Sequence, residues 1–196
     1  MHFTKSFKNG TNKIVALGLL VALIVVLQAL ACTIHIGTLS ITLALVPIVI
    51  GAIIYGPFAG AALGLIFGGI VTLYALVGLD AGTAGLIQVS PVWTIVLALF
   101  KGMLAGLGSG LVYKLFSKNR TLGCIIASIS APIFNTGTFC IAMLTVMRPA
   151  LLSFAQGSNP IYFLFIVIVG VNFIVEFAIN AVLSATIARI VQVITK

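Results

Sequence analysis

Residues 39–79 read LSITLALVPIVIGAIIYGPFAGAALGLIFGGIVTLYALVGL, an apolar run that contains no Lys, Arg, Asp or Glu. The segment Tyr55-Gly56-Pro57-Phe58 divides this run into two parts. Glycine is common just after the end of a helix, and proline is common in the first turn of the next one. A spanning helix needs about 20 mostly apolar residues. The run therefore predicts two antiparallel membrane helices joined by a tight turn.

The rest of the chain has the same composition. Of its 196 residues, 62% are hydrophobic and only 6% are charged, compared with about 25% charged residues in soluble domains. A water-soluble globule is therefore excluded. We expect an all-α integral membrane protein, one domain over residues 1–196, with about six transmembrane helices. The predicted spans are 13–32, 39–55, 57–79, 92–114, 122–146 and 161–190.

Basic residues lie at the ends of the apolar runs, so the net charge of +8 is not taken as a sign of nucleic-acid binding. With the N-terminus inside, Arg148 is the one basic residue in the external connections, and Lys101 lies within a span. The positive-inside rule then predicts that both termini are cytoplasmic and that a water-facing site opens outward. The basic residues on the predicted cytoplasmic side are Lys5, Lys8, Lys13, Lys114, Lys118, Arg120, Arg189 and Lys196.

Small residues recur at every fourth position in three spans. Such stripes allow helix backbones to approach closely in a membrane. The stripes leave two interpretations open, packing within this chain or docking on another membrane protein. They comprise Gly18 and Ala22 in the first span, Gly56, Gly60, Gly64 and Gly68 in the third, and Gly102, Gly106 and Gly110 in the fourth.

A few polar residues lie inside the predicted spans. Glu176 is near the middle of the last span, on one helical face with Asn172 and Asn180. Lys101 is roughly 13 Å deep in the fourth span, and Asn135 lies in the fifth. An unpaired charge near the bilayer centre costs at least about 2.5 kcal/mol. These residues therefore need partners.

Two interpretations of these residues remain open, and both can hold at once. Lys101 and Glu176 can form a buried ion pair that holds two helices together. Alternatively, these polar groups line a cavity that binds a water-soluble solute, with the aromatic residues Trp93, Tyr74 and Phe139 covering its apolar parts. His35, at the outer end of the first span, is a further candidate for contact with the solute.

The sequence offers little support for catalysis. It has no GxxxxGK[ST] motif for phosphates, no HExxH motif and no paired carboxylates. Ser109 is a weak candidate nucleophile, because His2 and His35 are the only possible imidazole bases, and His35 lies at the outer end of the first span while Ser109 lies toward the inner end of the fourth. The three cysteines lack CxxC spacing. We predict no enzyme activity, no cofactor and no metal site.

Three stretches resemble the substrate-binding S component of energy-coupling factor (ECF) vitamin transporters. The first is Lys13–Ala22, with its small residues four apart, and the last is Asn172–Glu176 in the final helix. The central stretch joins residues 43–51, LALVPIVIG, to residues 55–60, YGPFAG, and to Gly64. Their order, together with six spans and both termini inside, covers the whole chain.

This resemblance implies a protein of the bacterial cell membrane that captures a water-soluble vitamin or related micronutrient at the outer face. It also implies docking on an ECF transmembrane subunit that is driven by two ATPase subunits. The family's docking surface corresponds to Gly18 and Ala22 in this chain. Its ligand pocket points to Lys101, Asn135, Asn172 and Glu176. The chain lacks the acidic residue that many relatives carry in the third helix, which leaves the vitamin open.

Our leading hypothesis is therefore a binding subunit of a vitamin importer with no catalysis of its own. An alternative is a stand-alone channel or facilitator for a small solute, in which the glycine stripes serve internal packing or self-association. A membrane enzyme is a third hypothesis, which requires a catalytic function for Ser109 or Glu176.

Overall fold

The computed structural model describes residues 10–33, 35–36, 39–40 and 42–194. The chain folds into helices and one small hairpin of two-residue strands. In chain order, the elements are α1 (Gly10–Ala31), β1 (His35–Ile36), β2 (Leu39–Ser40), α2 (Leu45–Tyr55), α3 (Pro57–Leu76), α4 (Ala81–Val89), α5 (Pro91–Leu115), α6 (Arg120–Leu144), α7 (Arg148–Ala155), α8 (Pro160–Tyr162), a π-helical stretch (Phe163–Ile168) and α9 (Gly170–Ile194).

Five helical segments are long and apolar enough to cross a membrane, and α2 is a shorter apolar helix beside them. The prediction of an all-α membrane protein is confirmed. The two short helices α4 and α7 lie in the connections between predicted spans. The five long segments are Thr11–Ala31, Pro57–Leu76, Pro91–Leu115, Arg120–Leu144 and Pro160–Val191.

Helix α2 is shorter than the predicted span 39–55. It has 11 residues, which corresponds to about 16 Å, or about half of the hydrocarbon core. The residues before it form the hairpin, in which His35 pairs with Ser40 and Ile36 with Leu39. This segment is rich in Ile and Thr, whose β-branched side chains favour strands. Hydrophobicity alone does not distinguish the two structures, so the predicted helix began too early.

The predicted turn between the second and third helices is confirmed. Gly56 ends α2 with φ of 97°, a backbone conformation that side-chain-bearing residues rarely adopt. Its N–H donates to the carbonyl of Ala52 at 3.1 Å. Pro57 then begins α3, where its missing N–H costs no helical hydrogen bond.

The glycine stripes of α3 and α5 face each other, and these two helices pack backbone against backbone. A Cβ atom at Gly64 would lie 2.0 Å from the carbonyl oxygen of Gly102. A Cβ at Gly106 would likewise lie 2.0 Å from the carbonyl oxygen of Gly60. Of the two interpretations of these stripes, packing within the chain is therefore the one that the structure supports.

The connections 32–44, 77–90 and 145–159 all lie at one end of the bundle, because α1, α3 and α6 end there and α2, α5 and α8 begin there. We call this end the loop-rich half. The opposite half contains an apolar core between α2, α6 and α9. Its buried residues are Val49, Ile53, Cys124, Ala127, Ala131, Ile187, Ala188 and Val191.

Candidate functional site

A polar cavity of about 60 Å³ lies in the loop-rich half of the bundle. Its lining comes from every long helix and from the segments before α2 and α4. Three aromatic residues, Phe67, Phe139 and Phe173, contribute to its apolar walls. The polar residues that line it are Gln28, Thr42, Asp80, Thr83, Thr94, Lys101, Asn135, Thr136, Asn172 and Glu176.

Glu176 lines the cavity from α9 and is only 4% exposed. One carboxylate oxygen, Oε1, accepts a hydrogen bond from the backbone N–H of Thr42 at 2.8 Å. The side chain of Asn135 also interacts with this carboxylate. The second oxygen, Oε2, is buried and has no hydrogen-bond partner among the described residues. Glu176 therefore ties the segment before α2 to α9 and retains one free acceptor.

Lys101 faces the same cavity from α5. Its ammonium group lies 5.8 Å from the centre of the Phe139 ring, within the range of a cation–π interaction. Glu176 and Asp80 are close enough to attract it electrostatically, but in the described part of the chain Lys101 forms no salt bridge with either carboxylate. The predicted ion pair is thus an attraction across the cavity without direct contact.

Asp80 and Thr83 form the N-terminal cap of α4 at the rim of the cavity. The Asp80 carboxylate accepts hydrogen bonds from the Thr83 N–H at 3.2 Å and from the Thr83 hydroxyl at 2.9 Å. The hydroxyl of Thr94 donates to the carbonyl of Ser90 at 2.7 Å. These polar groups are therefore already engaged in holding the helix starts in place.

Several buried amide oxygens have no hydrogen-bond donor within the part of the chain that the structure describes. In the cavity lining, they are Oε1 of Gln28 and Oδ1 of Asn135, on side chains that are each 3% exposed. Asn180, one turn beyond Glu176, donates to the Glu176 carbonyl at 2.8 Å and also retains a free Oδ1. Buried polar groups are normally hydrogen-bonded, so the acceptors of Gln28 and Asn135 make this cavity the candidate binding site of the described residues.

The structure brings together four of the residues predicted for the site, namely Lys101, Asn135, Asn172 and Glu176. Thr136 and Phe139 also line the cavity. Trp93 is not among the lining residues and is 48% exposed. Tyr74 is also outside the lining, and its hydroxyl donates to the carbonyl of Val25 at 3.5 Å. The backbone of His35 lies in β1, and its side chain is outside the described residues.

The cavity lining also includes five polar residues that were not predicted for the site, namely Gln28, Thr42, Asp80, Thr83 and Thr94. Gln28 is a polar residue in an apolar span, which is the same signal that selected Asn135. The aspartate and threonine three residues apart in Asp80-Ala-Gly-Thr83 are typical of a helix cap. Thr42 contributes a backbone N–H, for which a sequence carries no signal.

Gly18 and Ala22 lie on the exposed face of α1. A Cβ atom at Gly18 would meet nothing within 4 Å. This small-residue pair is thus not used for packing against the described part of the chain. No group of three or more His, Cys, Asp or Glu side chains that could hold a metal ion is found among the described residues.

The hydrogen bond between Thr42 and Glu176 leads to a prediction on stability. Glu176→Leu is expected to lower the unfolding free energy by about 1–3 kcal/mol, because the buried Thr42 N–H loses its acceptor. Glu176→Gln keeps an oxygen at this position and is expected to retain most of the stability. Thermal melting of both variants in detergent measures this difference, and equal melting temperatures would show that the hydrogen bond contributes nothing.

The comparisons with known proteins give one match. Residues 12–188 match the sequence model of the family described as "ECF transporter, substrate-specific component". No curated protein and no solved structure gives a significant match to the chain.

Proposed function

Because the chain belongs to the family of substrate-specific components of ECF transporters, we propose that its cavity captures a water-soluble vitamin or related micronutrient at the outer face of the cell membrane. The family is a class of transport components and not of enzymes. The observation that carries the proposal is the cavity itself, which places Lys101, Glu176 and amide groups together inside an otherwise apolar bundle.

The energetics favour binding over a purely structural function for these groups. A charged side chain in the membrane interior costs about 2.5–3.5 kcal/mol or more unless it is paired or hydrated. Lys101 and Glu176 attract each other without contact, and Glu176 keeps a buried free oxygen. A polar solute supplies the missing partners. Since ligand pockets typically measure about 300–1,000 Å³, the lining of this 60 Å³ cavity must move apart to admit a vitamin.

The direction of the cavity follows from the charges at the two ends of the bundle. The connections in the loop-rich half contain one Lys or Arg residue, Arg148. The other basic residues near helix ends lie at the start of α1, around the connection between α5 and α6, and toward the end of α9. By the positive-inside rule, this distribution of charge supports an orientation with the loop-rich half outside and both termini in the cytoplasm. In this orientation the cavity faces the medium from which a nutrient is taken up.

Delivery of the solute requires partners, because the sequence lacks a phosphate-binding motif. Membership of the family implies an ECF transmembrane subunit and two ATPase subunits as those partners. We place the docking surface for the transmembrane subunit on the exposed face of α1 around Gly18 and Ala22. Exposed small residues allow a partner helix to approach the α1 backbone closely.

The apolar core of the opposite half argues for capture rather than for a channel. Glu176 lines the cavity, and further along α9 the buried side chains of Ile187 and Val191 pack with Val49 and Ile53 in the apolar core between α2, α6 and α9. A solute bound in the loop-rich half therefore meets a closed apolar layer, which suits a subunit that holds its solute until a partner engages it.

Native mass spectrometry of the detergent-purified chain tests capture. After incubation with a panel of water-soluble vitamins, we expect a stoichiometric adduct with one of them. Asn135→Leu, which fills the cavity, is expected to abolish this adduct. Thr138→Leu, on the same helix but outside the lining, is expected to retain it. A folded wild-type protein that binds no vitamin of the panel would contradict the proposal.

A further inference from the structure

The cavity offers a cation that forms no hydrogen bond and acceptors that receive none, as far as the described residues extend. Lys101 has three N–H donors and no hydrogen-bond acceptor among the described residues. Glu176 Oε2, Asn135 Oδ1 and Gln28 Oε1 are buried acceptors without donors. The two sets are complementary in sign, yet they do not satisfy each other in the structure.

The remaining titratable group of the lining does not alter this balance. Asp80 is the third charged side chain, and both of its carboxylate oxygens are engaged by Thr83. One positive and two negative side chains leave a formal excess of one negative charge around the cavity. A solute with only anionic groups would satisfy Lys101 but would face Glu176 and Asp80. A solute with only cationic groups would leave Lys101 without a partner.

We propose that the cavity selects compact solutes that carry both an anionic or phenolate oxygen and an N–H donor. We call these acceptor–donor solutes. The oxygen accepts hydrogen bonds from Lys101. The N–H group donates to Glu176 Oε2 and Asn135 Oδ1. Such a solute inserts between two charges that attract each other without contact, and it satisfies both of them. This inference rests on the proposed function and specifies the chemistry of the captured nutrient.

The apolar walls add a preference for a flat ring. Phe67, Phe139 and Phe173 line the cavity from three different helices. Aromatic faces and edges pack well against planar heterocycles. A nitrogen heterocycle of the acceptor–donor class thus matches both the polar groups and the walls.

Four vitamins distinguish solutes that carry both groups from solutes that lack one of them. Biotin has ureido N–H donors and a carboxylate, and pyridoxine has a ring nitrogen and a phenolic oxygen that share a proton. Nicotinate has a carboxylate but no N–H donor at neutral pH, and thiamine has a fixed positive charge and no anionic oxygen. In native mass spectrometry of the wild-type chain, we expect an adduct with biotin or pyridoxine and none with nicotinate or thiamine.

A binding measurement then tests whether Lys101 contacts the oxygen of the solute. We expect Lys101→Met to weaken binding of the captured vitamin at least about tenfold, since a charged hydrogen bond is lost. The matched control Lys114→Met lies on the same helix outside the cavity and is expected to leave the affinity unchanged. For biotin, the primary amide derivative is expected to lose less affinity than the acid on going from the wild type to Lys101→Met, because its neutral carbonyl accepts a hydrogen bond from the ammonium but lacks the attraction between opposite charges.

The outcomes separate this inference from the proposed function. Binding of nicotinate or thiamine alone would overturn the inference that the solute belongs to the acceptor–donor class, and the proposed capture of a vitamin would stand. An equal loss of affinity for the acid and its neutral derivative in Lys101→Met would also overturn it, because Lys101 would then act through the shape of the cavity. A folded protein that binds none of the four vitamins overturns the inference, and the rest of the panel then decides whether capture itself stands.

Discussion

Gly18→Leu is expected to abolish solute uptake while the purified variant still binds its solute. In the structure, a Cβ atom at position 18 would meet nothing within 4 Å, so a leucine is accommodated without disturbing the bundle. On the exposed face of α1, however, the larger side chain separates the backbone from any partner helix that packs there. Uptake by cells that express the ECF partner subunits, and binding by the purified variant, are the two measurements.

A matched control separates docking from a general effect of bulk in the membrane. Ala62 is an exposed alanine on α3, and Ala62→Leu is expected to support normal uptake. Ala22→Leu, one turn from Gly18 on α1, is expected to behave like Gly18→Leu. Normal uptake by Gly18→Leu and Ala22→Leu would remove the docking surface from α1. Loss of both uptake and solute binding would indicate instead that the substitutions disturb the cavity, which α1 lines through Gln28.

Gly64→Ala is expected to be among the most destabilising single-methyl additions in the chain. The new Cβ would lie 2.0 Å from the carbonyl oxygen of Gly102 and 2.9 Å from the backbone nitrogen of Met103. These atoms are backbone, so a side-chain rotation cannot relieve the clash. Since overpacked sites typically cost about 1–3 kcal/mol and occasionally more, we expect a loss of about 3 kcal/mol or more in unfolding free energy.

Gly69→Ala provides the control on the same helix. A Cβ atom at Gly69 would meet nothing within 4 Å, and alanine is a better helix former than glycine. We therefore expect this variant to be at least as stable as the wild type. Unfolding in detergent measures both variants. If Gly64→Ala were as stable as Gly69→Ala, the close approach of α3 and α5 would be wrong.

The polar residues of the cavity were only partly predictable from the sequence. Lys101, Asn135, Asn172 and Glu176 could be selected because each is a costly residue inside an apolar run. The free-energy cost of a polar side chain in the membrane implies that it has a partner, but the sequence does not identify that partner. The structure adds the direction of each side chain and brings these four residues to a common cavity.

The aromatic residues show the limit of the same reasoning. Trp93 was selected because an aromatic ring suits the wall of a binding site. In the structure it is 48% exposed, at the start of α5. Tryptophan is also favoured at the interface between lipid and water, because its apolar ring contacts lipid while its N–H group is hydrated. Composition and spacing do not distinguish a ring that faces a cavity from one that faces lipid.

The sequence by itself determined the membrane class, the turn at Gly56-Pro57, most helix boundaries and the family. These features are local, because lipid requires each span to be apolar over about 20 residues and to satisfy its own backbone hydrogen bonds. Only the tertiary structure decided which glycine stripes pack together and which polar residues share a cavity. The hydrogen bond from Thr42 to Glu176 joins residues 134 positions apart, and such a contact depends on how the helices pack.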